Sequence, residues 1–282
     1  MLHGRAGSAK IAWKRLARWL TPRRLRGPLR ELVQEIPIRV RDFLPDALGS
    51  LRIRQSNLPM PPARHRRSVG LSSSRTEFDA VGELIARGVT TAFQEARDPA
   101  REYPRWLDFG SGAGRVARFM TRSDDVSHLT GVDVDRKAIS WADRNLPGAY
   151  LPIDSLPPTT LEPKCFDVVY AISVFTHLPE DAGLAWLREI IRVLRPGGLL
   201  IVSTMSERLV AGRPDLSAED RDRLRSTGFA FLKGPSGRFS DDSAFHTCGY
   251  LERVWGAEHG LALRQFRDHG LAGFQDLAVW TT

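Results

Sequence analysis

The chain has 282 residues, 42% of them hydrophobic, a net charge of +8 and two cysteines, Cys165 and Cys248. That length can bury a full core, so one large domain plus an extension is expected. Two cysteines at this spacing give neither a disulfide framework nor a metal-binding pattern, which excludes a small disulfide scaffold and a zinc module and makes a reducing cytoplasm the default.

The charge is unevenly spread. Residues 1–70 carry 16 Lys/Arg against 4 Asp/Glu, a local +12, and the remainder is −4. Ala9, Ala12, Trp13, Leu16, Trp19 and Leu20 recur at helical spacing, while Lys10, Lys14, Arg15 and Arg18 lie largely off that stripe. No acid precedes Glu31, and no run approaches the ~18 apolar residues of a spanning helix. A basic amphipathic helix over residues 9–30 suits an anionic membrane surface, with the two tryptophans at headgroup level. It suits nucleic-acid phosphates by charge alone, or docking on the acidic body, and an organellar presequence has the same composition. Residues 56–74, with Pro59, Pro61, Pro62 and three successive serines, read as a solvated linker. The expected division is therefore a basic helical N-terminal extension and linker over 1–74 and a catalytic domain over 75–282.

Within the body, helices and strands alternate. A helix from about Thr76 to Ala96 precedes a strand at Arg105–Phe109, and a glycine-rich turn leads into a helix over Ala113–Arg122. A strand at Leu129–Asp133, a helix from Asp135 to Asn145 and a strand at Ala149–Ile153 follow. The continuous apolar run Phe166–Ile172 fits a strand covered on both faces. A helix from Glu180 to Leu194 places Leu184, Leu187, Ile191 and Leu194 inward and stops at Arg195-Pro196-Gly197-Gly198, before a strand at Leu199–Thr204. Residues 205–246 are longer than a crossover needs and form a natural acceptor cover; Ser217 with Asp220 resembles a capping box, and Gly228 a helix stop. A helix over Cys248–His259 carries Leu251, Val254 and Trp255 on one face. Two strands, Leu261–Arg267 and Phe274–Thr281, close the chain through a return at His269-Gly270. The expected class is α/β: a Rossmann-like, doubly wound sheet, mostly parallel with a C-terminal antiparallel strand.

The chemistry sits in Asp108-Phe109-Gly110-Ser111-Gly112-Ala113-Gly114-Arg115 and in Gly131-Val132-Asp133. Glycine tolerates positive φ and lets backbone approach a ligand, and a carboxylate at the tip of the second strand sits where a doubly wound sheet meets ribose hydroxyls. The dinucleotide fingerprint fails because Arg115 fills its third glycine position, and a pyrophosphate gains nothing from Asp108. No Gly-Lys-Ser/Thr follows, so a phosphate loop is excluded. A cationic nucleoside, S-adenosylmethionine, gains from both carboxylates.

Asp108-x-Gly110-x-Gly112-x-Gly114 resembles the first motif of class I S-adenosylmethionine-dependent methyltransferases. Gly131-Val132-Asp133, Ile153-Asp154-Ser155, the run Phe166–Leu178 and Leu194–Leu200 are similar, in order, to that family's later strand ends. The resemblance covers residues 75–282. It implies cofactor contacts from Asp108, Gly110, Ser111, Gly112, Gly114, Asp133, Val134, Asp154, Ser155 and Ser173, with Asp108 toward the methionine ammonium and Asp154 and Ser155 beside adenine. In such enzymes a preceding segment can fold over the cofactor; here that would bring Arg64 or Arg67 to the methionine carboxylate.

Methyl transfer is an in-line displacement in which alignment does most of the work, and a hydroxyl acceptor also benefits from a base. His177, after the fourth strand, and His246, at the end of the acceptor cover, are the candidate bases, an orienting or packed histidine being the commoner reading of each. Phe175 and Phe245 bracket a ligand or serve the core. Absent are the Asn/Asp-Pro-Pro-aromatic motif for amino groups of nucleic-acid bases, a Pro-Cys nucleophile and the cysteine triplet of radical enzymes. The expectation is O-methylation of a small molecule or glycan, without a metal. An RNA-directed enzyme using the basic arm and a non-catalytic cofactor-binding protein are the rivals.

Overall fold

A computed structural model describes residues 56–68, 74–206, 210, 216–234 and 241–282. The basic stripe over 9–30 lies outside the described residues. The strands are β1 (Arg105–Phe109), β2 (His128–Asp133), β3 (Ala149–Pro152), β4 (Phe166–Ala171), β5 (Leu194–Thr204), β6 (Phe229–Leu232), β7 (Ser243–His246), β8 (Ala262–Leu271) and β9 (Gln275–Thr281). The helices are α1 (Ala63–Ser68), α2 (Arg75–Ala96), α3 (Ala117–Met120), α4 (Arg136–Asn145), α5 (Glu180–Val193), α6 (Ala218–Thr227) and α7 (Cys248–Tyr250, continued as π-helical turns over Leu251–Glu258).

Seven strands form one sheet in the order β3-β2-β1-β4-β5-β9-β8. The first five are parallel, β9 runs antiparallel to β5, and β8 antiparallel to β9. The order of the strands reverses between β1 and β4, which opens the crevice in which such sheets bind ligands. Alternation along each strand feeds two cores. Trp106, Tyr170, Ile201 and Val279 pack beneath α2, α3 and α4. Leu107, Val169, Leu200 and Trp280 pack against α5 and α7 on the other face.

Several expected boundaries move, each for a local reason. Only Ala117–Met120 of the expected helix over Ala113–Arg122 is α-helical, because residues 112–116 are spent in turns with Gly112 and Gly114 at positive φ. α2 presses on that turn: a Cβ on Gly82 would stand 2.3 Å from the Arg115 carbonyl oxygen. α5 buries Trp186, Leu187, Ile190 and Val193, while Leu184 and Ile191 are half-buried at its edge. β5 begins five residues early, since Leu194 already pairs with Phe166 across a bulge. The final hairpin turns at Ala272 and Gly273, both at positive φ, rather than at His269-Gly270. Those two residues sit in a register break of β8, where the His269 N–H donates to Asp276 Oδ1 at 2.8 Å.

In the 205–246 segment the capping box of Ser217 and Asp220 and the left-handed Gly228 stand as expected. The small sheet β6–β7 was not anticipated; its strands of four residues are too short to signal themselves. The described part of residues 56–74 is not a solvated linker. Residues 56–68 lie on the body, with Leu58 packed against the first core and His65 buried.

Candidate functional site

β1 carries Asp108 between Gly131 of β2 and Tyr170 of β4. Beyond it the chain turns sharply, with Gly110, Gly112 and Gly114 at φ +84°, +55° and +72°. At Gly114 a side chain would strain the backbone at its positive φ and push against the end of the Leu146 side chain. The amides of Gly110 and Ser111 both donate to the Val132 carbonyl, at 2.9 and 3.0 Å, which hooks the turn onto β2.

Asp133 completes that link. Its Oδ2 accepts the Gly112 N–H and its Oδ1 the Asp135 N–H, each at 2.7 Å. Burial raises its pKa against the lowering effect of those amides. Asp135 in turn caps α4, accepting from Lys137 and Ala138 at 3.0 Å. One carboxylate thus joins the glycine turn, the tip of β2 and the first turn of α4, and each oxygen keeps a lone pair for a further donor.

Asp108 lies beneath this turn and is buried. Desolvation pushes its pKa up to about 7, against lowering by the hydroxyls of Tyr170 and Ser111 and by the Arg115 guanidinium. Both hydroxyls are shut from solvent, and neither makes a well-aligned hydrogen bond. Burial also lowers the Arg115 pKa to about 10, with Asp108 and Glu77 opposing that shift. A polar group left this way in low dielectric favours a ligand that supplies charge or a donor.

The other expected contacts spread around this centre. Val134, directly after Asp133, is 55% exposed, and Leu156, beyond the end of β3, is 63% exposed. Asp154 and Ser155 are exposed, and Asp154 forms a surface ion pair with Arg136 at 2.8 Å. Ser173 holds φ +58°; its N–H donates to Ser203 Oγ at 2.7 Å and its hydroxyl to Gln275 Oε1 at 3.1 Å. Ser173 is therefore already engaged by β5 and β9.

The two histidines differ sharply. His177 ends a 3₁₀ turn over Phe175–His177, is half-buried, and its Nδ1 lies 2.6 Å from the Asp242 carbonyl oxygen. A carbonyl only accepts, so Nδ1 carries a proton toward it, and in a neutral imidazole so held Nε2 is the acceptor. His246 is enclosed by Phe229, Tyr250 and Trp255, at ring separations of 5.1, 5.7 and 6.1 Å. Burial lowers its pKa to about 3 and its Nδ1 has no partner, so it stays neutral in an aromatic wall and takes up a proton poorly. Phe175 joins the same wall, 4.7 Å from Trp255. Phe245 packs instead in the insert's own core.

Sequence reasoning missed Tyr170, Asp135, Ser203, Gln275 and the Asp242 carbonyl. Asp135 alone left a signal, as a helix-capping residue ahead of α4; Tyr170 meets Asp108 only through the β1–β4 register.

Residues 107–202 match the model of a methyltransferase domain family. That segment is similar to methyltransferase domains. Over 105 residues the chain is 35% identical to a ubiquinone biosynthesis O-methyltransferase of Bradyrhizobium, covering 36% of this chain and 40% of that one. It is 29% identical over 105 residues to the 2-methyl-6-phytyl-1,4-hydroquinone methyltransferase of Synechocystis, covering 36% and 32%. The chain spans less than half the length of these curated relatives. The fold is shared with an S-adenosylmethionine-dependent methyltransferase of Leishmania major, at TM-score 0.53 and 16% identity over 78% of this chain and 80% of that one. It is also shared with magnesium protoporphyrin IX methyltransferase of Synechocystis bound to S-adenosylhomocysteine, at TM-score 0.52 and 13% identity over 77% and 92%.

Proposed function

We propose that this protein is an S-adenosylmethionine-dependent methyltransferase acting on an oxygen of a small-molecule or glycan acceptor. The observation that carries the cofactor reading is the carboxylate of Asp133, bonded at 2.7 Å to Gly112 of the positive-φ turn while buried Asp108 lies beneath. The residues present fit that group: Asp133 has lone pairs left for ribose hydroxyls, and the exposed apolar pair Val134 and Leu156 suits the faces of adenine. Asp108 would meet the methionine ammonium, a cation that restores its ionised form. Gly110, Ser111, Gly112 and Gly114 give that end a close-approaching backbone. The exposed Asp154 and Ser155 would reach the adenine edge, Asp154 only by releasing Arg136. Ser173 holds the loop after β4 against β5 and β9. S-adenosylmethionine supplies, when bound, a methyl carbon activated by the adjacent positive sulfur.

The chain's own task is to align the acceptor and take its proton. His177 suits that role through its protonated Nδ1 and free Nε2, and the Asp242 carbonyl that orients it lies in the 205–246 cover. His246 is less suited, for the reasons of burial given above. Relatives named as O-methyltransferases of ubiquinone biosynthesis support an oxygen acceptor of small size.

The test is incubation of the protein with methyl-labelled S-adenosylmethionine and fractionated cell extract. Label in the small-molecule or glycan fraction is expected, and it should fall about 10²–10⁴-fold in His177→Gln, the usual span for loss of a base. Label only in RNA, or no transfer from any pool despite cofactor binding, would reject the reading.

A further inference from the structure

One buried guanidinium fastens the chain ahead of α1 to the body. Arg118 on α3 is 0% exposed. Its Nη2 donates to the carbonyls of Leu58 and Pro59, each at 2.9 Å, and its Nη1 lies 3.7 Å from Met60 Sδ. Behind it, Nε stands 3.4 Å from Asp79 Oδ1 on α2, a charge pair rather than an aligned hydrogen bond. The guanidinium also sits 5.6 Å from the Phe78 ring. The Asp79 carboxylate accepts the Ser56 N–H as well. A wholly buried arginine is costly to desolvate unless its donors are met. Here two are met by consecutive main-chain carbonyls, so Arg118 grips the path of residues 56–60 rather than one side chain.

That path crosses between landmarks of the candidate site. The Arg118 amide itself donates to the carbonyl of Gly114, the last glycine of the turn, at 3.2 Å. From this anchor the segment runs through Pro61 and Pro62 into α1, whose His65 is only 4% exposed and lies in electrostatic reach of Asp135 and Lys137. Asp135 is the residue whose amide Asp133 holds. The segment is thus anchored on the helix that follows the glycine turn, and its buried His65 feels the charges at the start of α4.

We propose that Arg118 is a positioning residue for the cofactor: it holds residues 56–68 as a strap along the rim between the glycine turn and Asp133, and tight cofactor binding requires the strap in place. This rests on the cofactor assignment above. Arg118 touches neither cofactor nor acceptor; it acts through the backbone it holds.

The test uses the full chain with S-adenosylhomocysteine as probe, read by calorimetric affinity and by trypsin cleavage mapped at Arg64, Arg66 and Arg67. Wild-type protein should bind the probe and gain protection at those arginines. Arg118→Lys keeps a charge, but its single nitrogen on a shorter side chain cannot face Asp79 and reach the Leu58 and Pro59 carbonyls together. It should unfold cooperatively yet bind roughly tenfold more weakly, the loss of one hydrogen bond from a charged donor, and lose the probe-dependent protection. Leu58→Ala loosens the strap from its own side and should shift both readouts in the same direction, which keeps the test decisive if Arg118→Lys does not fold. Wild-type affinity in both variants, or no probe-dependent protection in the wild type, would leave Arg118 a purely structural residue and overturn the proposal. A wild-type protein that binds no probe would instead overturn the cofactor assignment, and the strap with it.

Discussion

Asp133 shapes the glycine turn and, in the proposed function, also meets the ribose hydroxyls, and substitution tests the second role. Its oxygens hold the Gly112 and Asp135 amides, so they shape the turn before any ligand arrives. Asp133→Ala should weaken S-adenosylhomocysteine binding by roughly 1–3 kcal/mol through lost hydroxyl contacts, measured calorimetrically. Asp133→Asn, which keeps an acceptor oxygen, should retain more of that affinity. Asp108 makes a prediction in pH. Burial places its folded pKa near 7, above the 3.8 of a free carboxyl. The stability it contributes is therefore full below the unfolded pKa and is lost as pH rises through about 7. A cationic ligand favours the ionised form, so cofactor affinity should rise with pH up to about 7 and then level off. Asp108→Asn should flatten that profile; an unchanged profile would mean that Asp108 does not face the ammonium.

At the scale of the element, the glycine turn depends on a neighbour that no motif names. Gly82 in α2 lets that helix lie directly on the Arg115 carbonyl, and a Cβ there would approach it to 2.3 Å. Gly82→Ala should destabilise the fold by about 1–3 kcal/mol, as overpacking does, and weaken cofactor binding as the turn shifts. Alanine normally improves a helix interior, so a stabilised variant would show that this contact is soft. The ends of β1, β2 and α4 were legible because each is marked by a chemical change: apolar run to carboxylate, carboxylate to capping Asp135. The hairpin return was misread because His269-Gly270 carries turn chemistry that the fold uses for a register break, closed by buried Asp276 from β9. That partner is adjacent only once β8 and β9 pair.

For the whole molecule, sheet order brings β1, β2 and β4 side by side, so that residues 62 positions apart in sequence, Asp108 and Tyr170, become register partners. Among the described residues no helix is long and apolar enough to cross a membrane. The +12 charge and the Trp13 and Trp19 stripe of the extension are properties of its sequence. Surface attachment through residues 9–30 predicts sedimentation of the full chain with anionic vesicles, reduced at high salt and in a Trp13→Ala/Trp19→Ala double variant. Binding equal to that of neutral vesicles would dismiss it.

What the amino-acid order determined by itself was local: the glycine turn with its flanking carboxylates, the alternation of strands and helices, the capping box at Ser217, and hence fold class and cofactor chemistry. These are legible because backbone conformation and periodicity are set by near neighbours. Only the tertiary structure decided how deeply Asp108 is desolvated, that His246 is walled in while His177 is oriented by a distant carbonyl, and that Arg118 reaches back to residues 58 and 59. Burial and long-range hydrogen bonds depend on which surfaces meet, and those meetings exist only when the sheet and its helices have closed on one another.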